Sequence, residues 1–384
     1  MSVSGPSVSP PSRLARLVGF LGQDPGNLQL IADAAEAALD EGEADQASDL
    51  LDRYAALAPL PPALINLKGV AAISQRRFDE AAVAFETLLA DGANNAALRF
   101  NLAWSRAMLE DHAGTLEMLD EPVIAAFPRA AALKVQALHH LGQVEEALAC
   151  GLVLAERYPD DVELMAAIAT AAIDAEDMDL ARQFAVRAGG HPAGLTTLGM
   201  LQLGESDIGA SLDLFDRALI ARPGEPRALL GKGLGLLARG DNASAADLLE
   251  QGAAGFKNHL GSWIAAGWAR FAQGDIPAAR ANFETALALD DTFAESHGAL
   301  AVLDVLDGQI DSAKRQADVA LRLDRQCLSA ALAKSLILAS QGQEQAAERI
   351  RAIALNQPVG PGGETIAQAM VRLGMAQKPT GGRD

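Results

Sequence analysis

Small and apolar residues recur along this chain at helical spacing, in pairs of segments separated by short turns. In one such segment Ala279, Phe283 and Ala286 fall at i, i+4 and i+7, the spacing of one face of a helix. The turns repeat every 34 residues, with two shorter steps of 32 and 30 residues. The pattern predicts ten consecutive helical hairpins, with turns at Gly42, Arg76, Glu110, Gly142, Glu176, Ser206, Gly240, Gly274, Gly308 and Gly342.

Two columns of small residues keep the same register as the turns. The residues five positions after the turns are eight alanines, Thr115 and Ser211. The residues seven positions before the turns are small in nine of ten cases, the exception being Val135. Two antiparallel helices approach closely only where the facing side chains are small, so these columns mark the contact within each hairpin. They also account for an alanine content of about one fifth, since alanine is the best helix former.

These positions resemble the tetratricopeptide repeat, whose first helix carries a bulky residue and a glycine. Its second helix carries a small residue followed four positions later by an aromatic one, and a proline closes the unit. Two units carry most of this motif, one with Trp263, Gly267, Ala279, Phe283 and Ala286 and the other with Gly199, Phe215, Ala218 and Pro223. The resemblance covers roughly residues 28–358 and is specific for fold rather than for activity.

The resemblance implies an all-α, right-handed superhelical solenoid of about ten hairpins with an extra helix at each end. We expect the solenoid over residues 12–375, a lone helix before the first unit, a cap helix over residues 363–375, and disordered tails at residues 1–11 and 376–384. The predicted units are 28–61, 62–95, 96–127, 128–161, 162–191, 192–225, 226–259, 260–293, 294–327 and 328–361.

Two irregular places interrupt the repeat. Pro122 falls where the second helix of the third unit should continue, and proline removes a backbone donor, so this helix should break or end near Glu121. The second place is the Gly-Gly-His-Pro sequence at residues 189–192, within the 30-residue step. Each is either a local kink in the superhelix or a hinge between two subdomains.

Composition and charge exclude several classes of function. The formal net charge is −19 and the pI about 4.7, and no run of lysine or arginine supplies the basic footprint of a nucleic-acid partner. Two cysteines, Cys150 and Cys327, are too few for a disulfide framework or a four-cysteine zinc site. No uninterrupted apolar run reaches the length of a membrane span, and the first residues lack a signal-peptide pattern. We therefore expect a cytoplasmic protein.

The sequence contains no recognisable catalytic, metal or cofactor motif, so we expect neither enzyme activity nor a cofactor. Gly231, Lys232 and Gly233 lack the upstream glycine and the following serine or threonine of a phosphate loop. His139 and His140 are adjacent, which on a helix points their side chains about 100° apart and makes joint metal binding unfavourable.

The remaining candidate is a surface. In tetratricopeptide repeats, the positions ten, six and three residues before each turn face the concave groove. In units one to five these positions are mixed, with Glu36, Asn66, Gln136, His139 and Thr170 beside Phe100 and Trp104. In the last four units they form an apolar stripe, with candidate groove residues Leu230, Leu234, Leu237, Ile264, Trp268, Phe271, Val302, Val305, Leu332 and Leu336. The stripe is either a partner-binding groove or packing between neighbouring helices.

These observations favour a non-catalytic scaffold or adaptor that binds a peptide or amphipathic helix of another protein. The alternative is a regulatory or assembly subunit of a separate-chain enzyme, or of a secretion, envelope-assembly or transcription-control machine. Residues 1–192 hold 28 acidic and 13 basic residues, whereas residues 193–384 hold 22 and 18. The acidic half serves solubility or a basic partner segment, and the apolar stripe lies in the nearly neutral half.

Overall fold

The computed structural model describes residues 11–256, 259–356, 358–359 and 364–365. Its contacts divide the chain into two compact units, residues 1–171 and 172–384. The boundary falls inside helix α11 (Val162–Asp174). We expected a single solenoid over residues 12–375, with Pro122 and residues 189–192 as the possible hinges, and neither of these places lies at the boundary.

The N-terminal unit consists of a lone helix followed by helical hairpins, in which we call the first helix A and the second helix B. Ser12 caps the lone helix through its hydroxyl, and Leu14 and Leu21 are buried with Ile31 and Leu51 in one cluster. The helices before α11 are α1 (Arg13–Leu21), α2 (Leu28–Asp40), α3 (Ala44–Leu57), α4 (Pro62–Ser74), α5 (Phe78–Ala90), α6 (Ala96–Met108), α7 (His112–Met118), α8 (Glu121–Ala126), α9 (Arg129–His140) and α10 (Val144–Arg157).

The second unit continues the same hairpin pattern and ends in two short paired strands. After α11 come α12 (Met178–Arg187), α13 (Pro192–Gly204), α14 (Ile208–Ala221), α15 (Pro226–Arg239), α16 (Asn242–Phe256), α17 (Leu260–Gln273), α18 (Ile276–Leu289), α19 (Ala294–Leu306), α20 (Ile310–Leu323), α21 (Leu328–Ser340), α22 (Glu344–Leu355), β1 (Pro358–Val359) and β2 (Glu364–Thr365). The described helices confirm the predicted fold class, an all-α solenoid, and they form ten hairpins with one of the two expected extra helices, the one before the first hairpin.

All ten predicted turn positions have left-handed backbone conformation. Six are glycines, and four are the non-glycine residues Arg76, Glu110, Glu176 and Ser206, with φ between 59° and 66°. A left-handed residue after a helix reverses the chain tightly and lets the last carbonyls find donors, as where the amide of Asp177 donates to Ala172. The turns of the backbone therefore lie at the positions that the 34-residue spacing of the sequence predicts.

Both columns of small residues lie in the core, as predicted. Every residue five positions after a turn is fully buried, and every residue seven positions before a turn is buried. A Cβ atom added at Gly69 would lie 2.6 Å from the Phe85 ring, and one added at Gly199 would lie 2.7 Å from Phe215. The missing side chain on helix A therefore makes room for an aromatic ring on helix B of the same hairpin.

The third hairpin has the predicted break. Its helix B is divided into α7 and α8, with Leu119 and Asp120 between them and Pro122 in the first turn of α8. Proline is tolerated there because the first amides of a helix have no carbonyl partner within the helix. Asp120 caps α8 by accepting a hydrogen bond from the Val123 amide at 3.2 Å.

The expectation of a cap helix beginning at residue 363 is wrong at its start. Glu364–Thr365 is a strand that pairs antiparallel with Pro358–Val359. The four residues between the strands are Gly, Pro, Gly and Gly, types that favour a tight turn over a helix start. Residues 366–375 of the predicted helix, and the predicted tails at residues 1–10 and 376–384, lie outside the described residues.

Candidate interaction surfaces

The ten predicted groove residues lie on four helices A of the second unit, α15, α17, α19 and α21, but they differ in burial. Val302 is 1% exposed and Ile264 is 8% exposed, so both belong to the core. Leu332 is 37% exposed. The other seven, which are half-buried, are Leu230, Leu234, Leu237, Trp268, Phe271, Val305 and Leu336. Two of the ten residues are therefore buried between helices, whereas the side chains of the other eight are partly accessible to solvent. We call these eight the apolar band.

Trp268 and Phe271 connect neighbouring hairpins within the band. Their rings meet edge to face with centroids 5.4 Å apart, and Trp268 lies 5.2 Å from the ring of buried Phe283. Both aromatic residues also pack against the buried cluster that contains Val302, as Leu336 does. Each therefore has a structural role in addition to its accessible surface.

The three leucines at the N-terminal end of the band, on α15, also have a structural role. Leu230, Leu234 and Leu237 pack against a cluster of small residues and Leu249 contributed by α16 and α17. Gly231 and Gly233 alternate with them on α15 and are buried, and a Cβ atom on Gly233 would lie 2.6 Å from Leu249. Lys232 pairs with Asp216 at 2.6 Å. The Gly-Lys-Gly sequence is therefore a packing element of a helix.

An ionic network fixes three helices beside the band. Arg270 on α17 donates from Nε to Glu250 at 2.8 Å and from Nη2 to Asp247 at 2.8 Å, and the Asn282 amide donates to Glu250 at 2.8 Å. The hydrogen bonds from Arg270 lower the pKa of Glu250, and Glu250 in turn raises the pKa of Arg270. The network joins α16, α17 and α18, and it therefore fixes the position of α17, the helix that carries Phe271.

The equivalent positions of the N-terminal unit are more polar. Asn66 and Gln136 are exposed there, whereas Phe100 is half-buried and stacks on Phe127 with ring centroids 4.9 Å apart. Trp104 is 38% exposed. This face combines one accessible aromatic side chain with amide groups, unlike the apolar band.

The structure gives no reactive character to the thiols. Cys327 is buried, and burial raises the pKa of its thiol to about 12. Burial also raises the pKa of the half-buried Cys150. Both thiols therefore stay protonated near neutral pH, where the thiolate is the reactive form. Among the described residues, no group of three or more His, Cys, Asp or Glu side chains is placed to hold a metal ion.

Sequence reasoning missed a group of exposed apolar residues near the turns of the third and fourth hairpins. Met108, Leu109 and Leu141 are 42%, 46% and 43% exposed. The ring of His140 stacks on that of His112, with centroids 4.5 Å apart and planes within 7°, and lies tilted against the ring of His139, with centroids 5.8 Å apart. Comparing the residues just before each turn would have revealed the two leucines.

The repeated hairpins with paired small columns define an α-solenoid repeat protein. Within that class, residues 66–121 and 196–258 match the family model of the tetratricopeptide repeat. These two segments therefore consist of tetratricopeptide repeats, as the sequence motifs indicated. No curated protein matches it as a sequence relative.

Solved structures that match over most of this chain share its fold at low sequence identity. The hetero-tetramer Cut9-Hcn1 of the APC/C matches with a TM-score of 0.56 and 14% identity, over 86% of this chain and 64% of that one. A monomeric mutant of IFIT1 with Gppp-AAAA matches with a TM-score of 0.53 and 12% identity, over 85% of this chain and 90% of that one. MamA from Desulfovibrio magneticus RS-1 has 19% identity over 43% of this chain and 96% of its own, with a TM-score of 0.38.

Within the described part of the chain, every helix is too short or too polar to cross a bilayer.

Proposed function

We propose that this tetratricopeptide-repeat protein is a non-catalytic scaffold that binds an amphipathic helix or apolar peptide of a partner protein along the apolar band. One observation carries the proposal: eight partly accessible apolar side chains follow one another on four consecutive helices A. Contiguous apolar surface of this kind marks interaction sites more often than isolated exposed residues do. Helix-in-groove recognition needs such a row, because the partner presents its apolar residues at i, i+3, i+4 and i+7.

The side chains chosen for testing must be accessible and must not support the core. Trp268 and Phe271 fail this condition because they pack on Phe283 and beside Val302, so aspartate there would also unfold the helices. Leu332 is exposed, and half-buried Val305 lies outside the described core clusters. We therefore propose the double substitution Leu332→Glu and Val305→Glu. Leu323→Glu is the matched control, since Leu323 is exposed at the end of a helix B.

The measurement is selection of a displayed peptide library against the full chain, followed by titration of the selected peptides. We expect helical peptides with apolar i, i+3, i+4, i+7 spacing, binding about tenfold or more weakly to the double variant, a loss of about 1.4 kcal/mol. The Leu323→Glu control should bind as the unchanged protein does. Selected peptides that bind all three proteins equally would rule out the band as the site.

A cytoplasmic location remains part of this proposal. The two free thiols, Cys150 and Cys327, are compatible with a reducing compartment. Fractionation of the source cells with an antibody against the chain is the direct test.

A further inference from the structure

A second apolar surface lies in the N-terminal unit, at the edge where helix A turns into helix B. The column just before the ten turn positions is polar or small except at Leu109 and Leu141. In chain order it holds Glu41, Gln75, Leu109, Leu141, Ala175, Glu205, Arg239, Gln273, Asp307 and Gln341. Both leucines are close to half exposed, so the hairpins do not need them for packing. Two consecutive hairpins therefore depart from the repeat in the same way at the same place.

The structure brings these two turns together. His112, three residues after Leu109, stacks on His140, the residue before Leu141, with ring centroids 4.5 Å apart. Met108 is exposed next to Leu109, and Trp104 is exposed one helical turn earlier on α6. We call the residues Trp104, Met108, Leu109 and Leu141 the edge patch. The stacked histidines join its two halves, so the patch spans two hairpins.

The surroundings of the edge patch are acidic. Glu145 and Glu146 are exposed in the first turn of α10, just after Leu141. Asp111, two residues after Leu109, is half exposed, but it caps α7 through the Gly114 amide at 2.9 Å and pairs with Arg106. Neither Glu145 nor Glu146 forms an ion pair in the described structure. Residues 1–171 hold 24 acidic and 11 basic residues. An anionic membrane or a nucleic acid is therefore repelled from this edge.

We propose that the edge patch binds a basic amphipathic helical segment of a partner protein. The partner's leucine or methionine side chains cover Met108, Leu109 and Leu141. Its arginines reach the carboxylates of Glu145 and Glu146, which accept the guanidinium fork in bidentate geometry. The patch lies in the other compact unit from the apolar band, so this inference goes beyond the proposed function and stands without it.

The probe is a synthetic amphipathic helix of about 16 residues, four turns long, with leucine on one face and arginine on the other. Its counterpart carries glutamate in place of every arginine. The test variant is Leu109→Gln with Leu141→Gln, because Gln75, Gln273 and Gln341 already occupy this column. The matched control is Leu306→Gln, the same change at an exposed leucine beside a turn of the second unit.

We expect the arginine peptide to bind the full chain with an affinity that falls with added salt, as contacts between exposed charges do. Binding should weaken about tenfold or more in the leucine double variant and should be unchanged in Leu306→Gln. A separate variant, Glu145→Gln with Glu146→Gln, should weaken binding and flatten the salt dependence. This variant keeps the leucines, so it tests the proposal even if the first one is unstable.

Four outcomes would overturn the proposal. The arginine peptide could fail to bind, could bind the leucine double variant as tightly as the unchanged chain, or could be matched by the glutamate peptide. Alternatively, sedimentation could show that the unchanged chain self-associates and that the leucine double variant is monomeric. That last result would assign the edge patch to contacts between copies of this chain.

Discussion

At the residue scale, four turns use a left-handed conformation without glycine. Arg76, Glu110, Glu176 and Ser206 occupy positions at which the other six hairpins have glycine. A Cβ atom in this conformation crowds the following carbonyl and costs about 1 kcal/mol or more. The repeat tolerates these residues because the carbonyls and amides around the turn keep their hydrogen bonds, as with Glu176 donating to Ile173.

Exchanging residues between a non-glycine turn and a glycine turn tests this strain. Glu176→Gly should stabilise the protein by about 0.5 kcal/mol, since relief of strain exceeds the added freedom of the unfolded chain. Gly274→Glu, the reciprocal change, should destabilise it by about 1 kcal/mol, because Gly274 has φ 88°. An added Cβ atom there meets no other atom within 4 Å, so a steric clash does not contribute. Thermal unfolding followed by circular dichroism measures both, and shifts of the same sign would contradict the interpretation.

The sequence predicts core positions better than it predicts accessible ones. The small columns follow from the contact within a hairpin, which the 34-residue spacing determines. Whether Ile264 and Val302 are covered depends on how closely the next helix A packs, which the spacing does not encode. The fourth hairpin shows the same limit, because its large residue, Val135, lies on helix A and its small residue, Gly151, lies on helix B. A Cβ atom on Gly151 would lie 3.3 Å from Val135.

At the element scale, the break between α7 and α8 is stabilised by one side chain from the neighbouring helix. Arg99 on α6 donates to the Glu117 carbonyl at 3.0 Å and forms an ion pair with Asp120. The first contact satisfies a carbonyl at the end of α7, and the second holds the residue that caps α8. From the other side, the Tyr158 hydroxyl donates to the Ile124 carbonyl at 3.1 Å. Pro122 alone predicts the break but not these supports.

Removal of the Arg99 guanidinium should loosen this hairpin locally. Arg99→Met keeps the aliphatic stem and leaves the Glu117 carbonyl and Asp120 without their donor, which should cost about 2 kcal/mol. Hydrogen–deuterium exchange over residues 112–127 should accelerate accordingly, while α2 to α5 keep their protection. The control is Arg129→Met, because exposed Arg129 begins α9 and has no ion pair in the described structure. Equal acceleration in both variants would contradict the role of Arg99.

The C-terminal end shows where a helical pattern misleads. Ile366, Met370 and Leu373 have the spacing of a helix face, and this favoured a cap helix from residue 363. The sequence before them, with Pro358 and three glycines at residues 360, 362 and 363, is local turn chemistry that competes with a helix start. In the structure, Val359 instead pairs with Glu364 in two short antiparallel strands. A periodic pattern predicts a face but not the residue at which an element begins.

At the scale of the whole molecule, the two compact units differ in net charge. Residues 1–171 have a formal charge of −13 and residues 172–384 one of −6. Both apolar surfaces lie within this negative field, the band in the weaker part and the edge patch in the stronger part. The same fold can therefore present two surfaces that select partners of different charge.

The charge distribution also predicts that nucleic acid does not bind, although the IFIT1 structure of the same fold contains Gppp-AAAA. Binding of phosphates depends on clustered cationic groups that release counterions. At least 15 of the 31 lysines and arginines here are already paired with carboxylates. Fluorescein-labelled Gppp-AAAA should therefore show no change in anisotropy with up to about 100 μM protein at low salt. Polylysine titrated into the same oligonucleotide is the positive control. Saturable binding that weakens with salt would reveal a basic site that the net charge conceals, and would redirect the functional assignment towards RNA.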